Sequence, residues 1–486
     1  MKKDVVVIGG GPAGLTAAYH LSKNNVHSTV LERADRVGGI SRTETYKGYR
    51  FDIGGHRFFT KIGEVQQVWK EILGDEFIKV PRLSRIYYNQ KFFDYPLSIP
   101  NTLKNLGPVT SLMIGLSYLK AKLKTRLQPG QEAENFEDWV SERFGKRLYG
   151  TFFKTYTEKV WGMPCTEIQA EWAAQRIKGM SLKKAVIDAV VGSSDAKTLI
   201  KEFDYPIYGP GMMWERCQQI IEQRGSAVHL NTQVTRVEHE HNRIQKVIIQ
   251  TGDQTSTLEA EQFISSMPIT ALARCLDPAP PEAVLKAARS LKYRDFLIVP
   301  IIIDQTDLFP DNWIYIHSPA FRVGRIQNFK NWSPAMVPDP SKTCLGMEYF
   351  CSEGDDIWTR SDADLIALAG KEIAGLGLIP AHAKVEDGTV IRQRKAYPVY
   401  DANYRDHLDV VRAYLEQFEN LQTVGRNGMH RYNNQDHSMM AGLLAAKNVL
   451  GELHDIWDIN TEKSYHEGFD QKEWSKYPLQ PRAYTA

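Results

Sequence analysis

Apolar positions along the chain change their period several times, and each change marks an element. Val5-Val6-Val7-Ile8 is an unbroken β-branched run, the pattern of a strand buried on both faces. Gly9 to Gly14 interrupts it, and Leu15 to Ser22 takes up helical spacing. A second strand, His27 to Glu32, completes a βαβ unit within about 30 residues. From 97 to 200 the spacing is largely helical, broken by Gln128-Pro129-Gly130. From about 203 to 300 it shortens again. Val228-His229-Leu230, Gln233 to Glu238 and Lys246 to Ile249 alternate like strands, and Phe263-Ile264-Ser265-Ser266 reads as a strand returning to the first sheet. Leu297 to Ile303 is another β-branched run, and aromatic-rich strand-like segments follow over 313 to 351. Asp362 to Ile373 is helical in period. Leu421-Gln422-Thr423-Val424 precedes Gly425, and Met439 to Leu450 reads as a helix.

Composition narrows the class. At roughly 150 residues per domain, 486 residues make two to four units, enough to bury a large core without staples. Hydrophobic residues at 42% and charged residues at 24% are those of a folded globular chain. The 60 Lys and Arg against 58 Asp and Glu leave a net charge of +2, without the basic excess of a nucleic-acid binder, so nucleic acid is not expected as a partner. The five cysteines have no CxxC spacing, which argues against a disulfide framework or a structural metal and suits a reducing compartment. Lys2 and Lys3 before an apolar run imitate a signal peptide, but Asp4 interrupts it and a glycine loop follows instead of a cleavage site. Leu106 to Leu119 contains Pro108 and Gly115 and ends before Lys120, short of the ~20 residues that span a bilayer. A soluble, cytoplasmic protein without a transmembrane segment is expected.

Gly9-Gly10-Gly11-Pro12-Ala13-Gly14 fits GxGxxG between a strand and a helix, where backbone can approach a pyrophosphate at the positive helix end. Glu32, at the end of the second strand, can accept hydrogen bonds from a ribose diol. Arg33, Gly38-Gly39 and Ser41 follow it, an arrangement that resembles the large flavoprotein superfamily of amine oxidases and phytoene desaturases and favours FAD over NAD. The fold expected is α/β, with a discontinuous Rossmann-type FAD-binding domain, an inserted helical domain and an antiparallel-sheet substrate domain. Its expected divisions are 1–96, 203–275 and 416–486 (with a C-terminal tail) for the FAD-binding domain, 97–202 for the helical domain and 276–415 for the substrate domain.

Three clusters carry further chemistry. In Phe51-Asp52-Ile53-Gly54-Gly55-His56-Arg57-Phe58, adjacent glycines can bring backbone against a flat ring, with His56 facing the isoalloxazine; a tight turn with a solvated histidine is the plain alternative. In the second, Asn135 or Glu134 caps a helix that carries Trp139 inward, and aromatic residues continue through Trp161 to Trp172 and Arg176, many of them core. In Arg431-Tyr432-Asn433-Asn434-Gln435-Asp436-His437-Ser438, polar groups at a helix start suit the polar edge of a flavin or a phosphate, or simple capping.

In this order the clusters resemble the UDP-galactopyranose mutases, particularly the eukaryotic type. The similar blocks also include Arg325 through Asn331-Trp332-Ser333-Pro334, Tyr397-Pro398 and Arg426, so the likeness runs from residue 5 to about 450. The resemblance implies an isomerase that interconverts pyranose and furanose forms of UDP-galactose or a related nucleotide sugar through a covalent adduct at N5 of reduced FAD, with no net electron transfer. It assigns Gly9, Gly11, Pro12, Ala13, Gly14, Glu32, Arg33, Gly38, Gly39 and Ser41 to the cofactor, together with Gly55, His56, Val234, Gly425, Arg426, Asn434, Gln435 and Ser438. Arg176 and Arg325 match the two arginines that hold the diphosphate, and with His56 make up the implied catalytic set. Tyr315, Tyr397 and Tyr432 match tyrosines of the sugar-diphosphate site, Phe152, Thr157 and Trp161 the nucleoside end, and Arg82 and Ser84 a nearby segment. Thr157, Trp332 and Gly324 depart from the eukaryotic pattern, which leaves the base and the sugar open. NAD(P)H is a candidate reductant and would bind in the shared cleft; a homo-oligomer is compatible with the sequence. The alternative is an oxidoreductase of amine oxidase or desaturase type. Arginines facing the flavin favour the mutase, and an apolar or aromatic-caged cleft favours oxidation.

Overall fold

The computed structural model describes residues 4–95, 97–127, 133–170, 172 and 202–460. Val5–Ile8 lies at the centre of an all-parallel sheet in the order Leu421–Thr423, Gln262–Ser265, Val5–Ile8, Ser28–Leu31, Ala227–His229. Every residue of Val5–Ile8 is buried, which is why its sequence lacks polar alternation. The helix Pro12–Lys23 packs between Gln435–Val449 and Gly211–Gln223. Its contact with Gln435–Val449 is backbone against backbone: a Cβ on Gly442 would lie 2.0 Å from the Ala13 carbonyl oxygen. The returning strand expected at Phe263 is therefore present, and the sheet is discontinuous in sequence as expected.

Thr232–Glu240, Arg243–Thr251 and Gln254–Glu259 form an antiparallel meander, with Leu276–Asp277 added in parallel at its edge. The large second sheet runs in the order Val385–Gly388, Tyr293–Ile303, Thr343–Cys351, Arg325–Asn328, Trp313–Ile316, Ser84–Tyr88, Lys91–Asp94, and Ile391–Pro398 also pairs with Tyr293–Ile303. It is antiparallel except where Trp313–Ile316 meets Ser84–Tyr88.

Three segments differ from the divisions read from sequence. Ser84–Tyr88 and Lys91–Asp94, inside 1–96, pair into the second sheet, because a strand's own pattern does not name its distant partner. Helices Glu282–Ser290 and Tyr404–Leu415, inside 276–415, pack on each other. They bury Val284, Ala287, Leu408 and Val411 in the same core as Val5–Ile8. The helical part contributes Ile99–Leu106, Pro108–Leu127, Phe136–Phe144 and Thr155–Trp161. Asn135 caps the third of these, its Oδ1 accepting from the Asp138 N–H at 2.9 Å, and Trp139 is carried inward. Among the described residues, no helix is long and apolar enough to cross a membrane.

Candidate active site

The glycine loop is shaped for an anion. Gly9 has φ +103°, and a Cβ at Gly14 would lie 2.0 Å from the Gly9 carbonyl oxygen, so strand and helix meet only because both are glycine. Pro12–Lys23 starts at Gly11 with no side-chain cap, which leaves its first N–H groups for a ligand. Space beside Gly11 is open up to Gly39, whose Cα lies 3.8 Å from where a Cβ would stand. Gly38 (φ +103°) folds back on the loop, its N–H donating to the Gly10 carbonyl at 2.8 Å. Glu32 is fixed from both sides: Gly10 N–H donates to Oε2 at 2.7 Å and Ala34 N–H to Oε1 at 2.8 Å. Arg33 is exposed and Ser41 is buried. Val234 is buried on the strand whose first residue, Thr232, donates its N–H to the Glu32 carbonyl.

At the other chain end, Gly425 (φ +79°) approaches Ala13, and Asn434 caps Gln435–Val449 in a reciprocal box with His437. Asn434 thus has the plain capping role as well. Both side-chain polar atoms of Gln435 are buried without a hydrogen-bond partner, and Ser438 is buried one turn along. An uncapped helix start, a glycine gap, a fixed acid and an orphaned amide fit a dinucleotide whose ring has a polar edge, as FAD has.

A cavity of about 360 Å³ extends from this region between the second sheet and the helical part. Arg325 projects into it from the sheet. Its Nε donates to Glu348 Oε2 at 2.5 Å, and Gln327 Nε2 donates to Glu348 Oε1 at 2.7 Å. Glu348 is wholly buried and sits opposite Arg325 in the strand register. Burial pushes its carboxyl up, Arg325 draws it down, and the glutamate holds the guanidinium charged. The phenols of Tyr156, Tyr397 and Tyr315 are close enough to act on the Arg325 charge. Burial raises Tyr156 and Tyr397 well above the ordinary phenol range, so both are protonated donors at neutral pH.

Tyr397 and Tyr432 stack at 5.5 Å with an 11° interplanar angle, and the Arg426 guanidinium lies 4.8 Å from the Tyr432 ring centre. Arg426 donates to the carbonyls of Asn433 (2.9 Å) and Ala396 (3.1 Å). The Gly54-Gly55 turn rests on the Arg325 network, a Cβ on Gly55 standing 3.2 Å from Gln327 Nε2. His56 follows, with Nδ1 sealed from solvent and unpartnered. Burial, then the charges of Arg426 and Arg325, pull its ring down to about 3, so it is neutral.

Residues 12–313, well over half of the chain, match the protein family described as flavin containing amine oxidoreductase. The chain belongs to the flavin-containing amine oxidoreductase family. Membership implies FAD as the cofactor of the loop described above. Among curated proteins, the chain is 24% identical over 315 residues to an L-amino-acid oxidase of Gloydius halys, covering 60% of this chain and 57% of that one. It is 24% identical over 176 residues to a probable UDP-galactopyranose mutase of Klebsiella pneumoniae, covering 35% and 43%. The matches span from 19% to 57% of the length of these and other curated relatives. Among solved structures, a reduced UDP-galactopyranose mutase superposes with TM-score 0.81 at 20% identity, covering 93% of this chain and 94% of that one. At that identity the likeness is one of fold.

Within this flavoprotein fold, Phe152, Thr157, Trp161, Tyr315, Arg325, Tyr397 and Tyr432 all line the cavity, as do Ser41, Gly55, His56, Arg426, Asn434 and Gln435. Arg82 and Ser84 do not. The Arg82 guanidinium lies 5.6 Å from the rings of Tyr95 and Trp313, which line it, and Ser84 is paired in register with Trp313. Arg176 lies outside the described residues. Gly324 is small for a reason: a Cβ there would meet the Phe350 ring at 2.6 Å.

Sequence reasoning gave no role to Glu348, Gln327, Tyr156 or His317. Glu348 had a signal, as the one carboxylate in the apolar run Thr343–Cys351, every residue of which is buried. His317 stacks on Tyr156 at 4.6 Å, and burial pulls it down to about 3. Beside it the Lys159 ammonium donates to the carbonyls of Ile316, Ser318 and Val323 at 3.0–3.1 Å, and burial lowers it to about 8.

Proposed function

We propose that this member of the flavin-containing amine oxidoreductase family is a flavin-dependent nucleotide-sugar mutase acting on UDP-galactose or a related nucleotide sugar. The observation that carries the reading is Arg325, fixed by Glu348 in the cavity wall among Tyr156, Tyr315 and Tyr397 and beside the Gly54-Gly55-His56 turn. A departing diphosphate needs a planar cation held ready and neutral hydroxyl donors around it, and this wall offers both. Reduced FAD, when bound, supplies an electron-rich nucleophile. Arg325 binds and orients the diphosphate, and the Tyr156 and Tyr315 hydroxyls donate to its oxygens. Arg426, hydrogen-bonded to carbonyls, adds a second positive charge that repels an ammonium substrate and attracts an anion. Phe152 and Trp161 pack the nucleoside, and Arg176 is the second diphosphate arginine. Neutral His56 presents its ring to the flavin without adding charge. The shared fold with a reduced UDP-galactopyranose mutase supports the reading.

One observation favours a second reading. The stacked Tyr397 and Tyr432 rings share the cavity lining with Phe58, Phe59 and Phe153, an aromatic content suited to an oxidisable amine or apolar substrate. The test is to give the anaerobically reduced holoprotein UDP-galactofuranose and separate the products by chromatography. UDP-galactopyranose formed without net flavin oxidation is the expected result. Failure with a panel of nucleotide sugars, while amines or amino acids reduce the oxidised flavin, would replace the mutase with the oxidoreductase.

A further inference from the structure

The helix Pro108–Leu127 has its apolar residues on the wrong side for a globular protein. Ile114 is its one buried residue, and it joins Phe136, Phe152 and Trp161 in the core behind the cavity wall. Val109, Leu112, Leu116, Leu119, Leu123 and Leu127 recur at spacings of three and four, which aligns them in one stripe. All six are between 58% and 72% exposed, so the stripe faces away from the body. An exposed apolar surface that is continuous along a helix marks an interaction site.

Charge selects the occupant. Between Asp94 and Glu132 the chain has no acidic residue and carries Lys104, Lys120, Lys122, Lys124 and Arg126. At 100° per residue, Lys120 and Lys124 border one edge of the stripe and Lys122 and Arg126 the other. A second copy of this face would set like charges against each other. An apolar stripe with cations on both edges matches the boundary between acyl chains and anionic headgroups. We propose that the outer face of Pro108–Leu127 seats the protein on an anionic lipid surface, the helix lying flat over about 30 Å of it without crossing.

The test is sedimentation of the full-length, flavin-loaded protein with vesicles of phosphatidylglycerol and phosphatidylcholine in equal parts, and with phosphatidylcholine alone. Partition to the anionic vesicles, weakened by salt, is expected. Leu116→Asp with Leu119→Asp, and separately Lys120→Glu with Lys124→Glu, should each lower it by about tenfold or more. Flavin absorbance and the thermal midpoint should stay unchanged, because these side chains are outside the core. No partition, equal partition to uncharged vesicles, or full binding by the leucine variant overturns the proposal. So does an oligomer that the leucine variant converts to a monomer, which would assign the stripe to a second copy.

Discussion

A guanidinium that is to receive a diphosphate, as proposed for Arg325, must be held in place before the diphosphate arrives. At Arg325 this is achieved by a carboxylate with no solvent exposure, itself braced by Gln327. Removing the arginine alone leaves that carboxylate buried without its cation, a change that costs about 3–5 kcal/mol. Arg325→Ala is therefore expected to lose turnover and lower the unfolding midpoint together. Adding Glu348→Gln should restore most of the midpoint and none of the turnover, which paired denaturation and product assays would separate. Arg325 is visible in the sequence through the blocks around it, whereas Glu348 is not. Its partner is 23 residues away on the neighbouring strand, and nothing beside it in the sequence tells a structural carboxylate from a stray one.

Among the elements, the crossing of Pro12–Lys23 and Gln435–Val449 couples packing to cofactor binding, because the first helix opens directly from the glycine loop. Gly442→Ala would drive a methyl group into the Ala13 carbonyl, displace that helix and distort the loop. The expectation is destabilisation of roughly 1–3 kcal/mol with reduced flavin per protein, read by denaturation and by absorbance ratio. Gly115→Ala is the control: nothing stands within 4 Å of its added methyl, and the helix should gain up to about 1 kcal/mol. The βαβ start is legible because strand, turn, helix and acid must follow one another locally. Ser84–Tyr88, by contrast, is not read as a strand from its own residues, and its place in the second sheet depends on Trp313–Ile316, which comes far later in the chain. The amphipathic pattern of Glu282–Ser290 likewise states that it has a buried face, without stating which core receives it.

At the scale of the whole molecule, four buried groups with large shifts dominate the pH dependence of stability. Burial lowers His56 and His317 to about 3 and His430 to about 4, so as pH falls below the ordinary histidine value the unfolded chain takes up protons that the folded one refuses. Asp52 acts oppositely, since burial pushes its carboxyl up to about 7 and the folded chain keeps a proton the unfolded one has lost. Between about pH 4.5 and 6 these make three protons against one, so stability rises with pH by about 2.7 kcal/mol per unit. His430→Asn, which suits the positive φ at that position, should flatten the slope. Urea midpoints across that range would check it.

The parallel sheet around Val5–Ile8 draws strands from residues 5 to 423, and its first helix is packed by one that ends at Val449. On the ribosome, therefore, the dinucleotide loop emerges about 400 residues before its support. A nascent chain exposes an unfinished sheet edge and an unclosed cofactor groove until the segment from Leu421 to Val449 has been synthesised. Chains cut after residue 420 should accordingly capture no flavin although the entire glycine loop is present, and flavin supply during translation should bear on yield more than flavin added later.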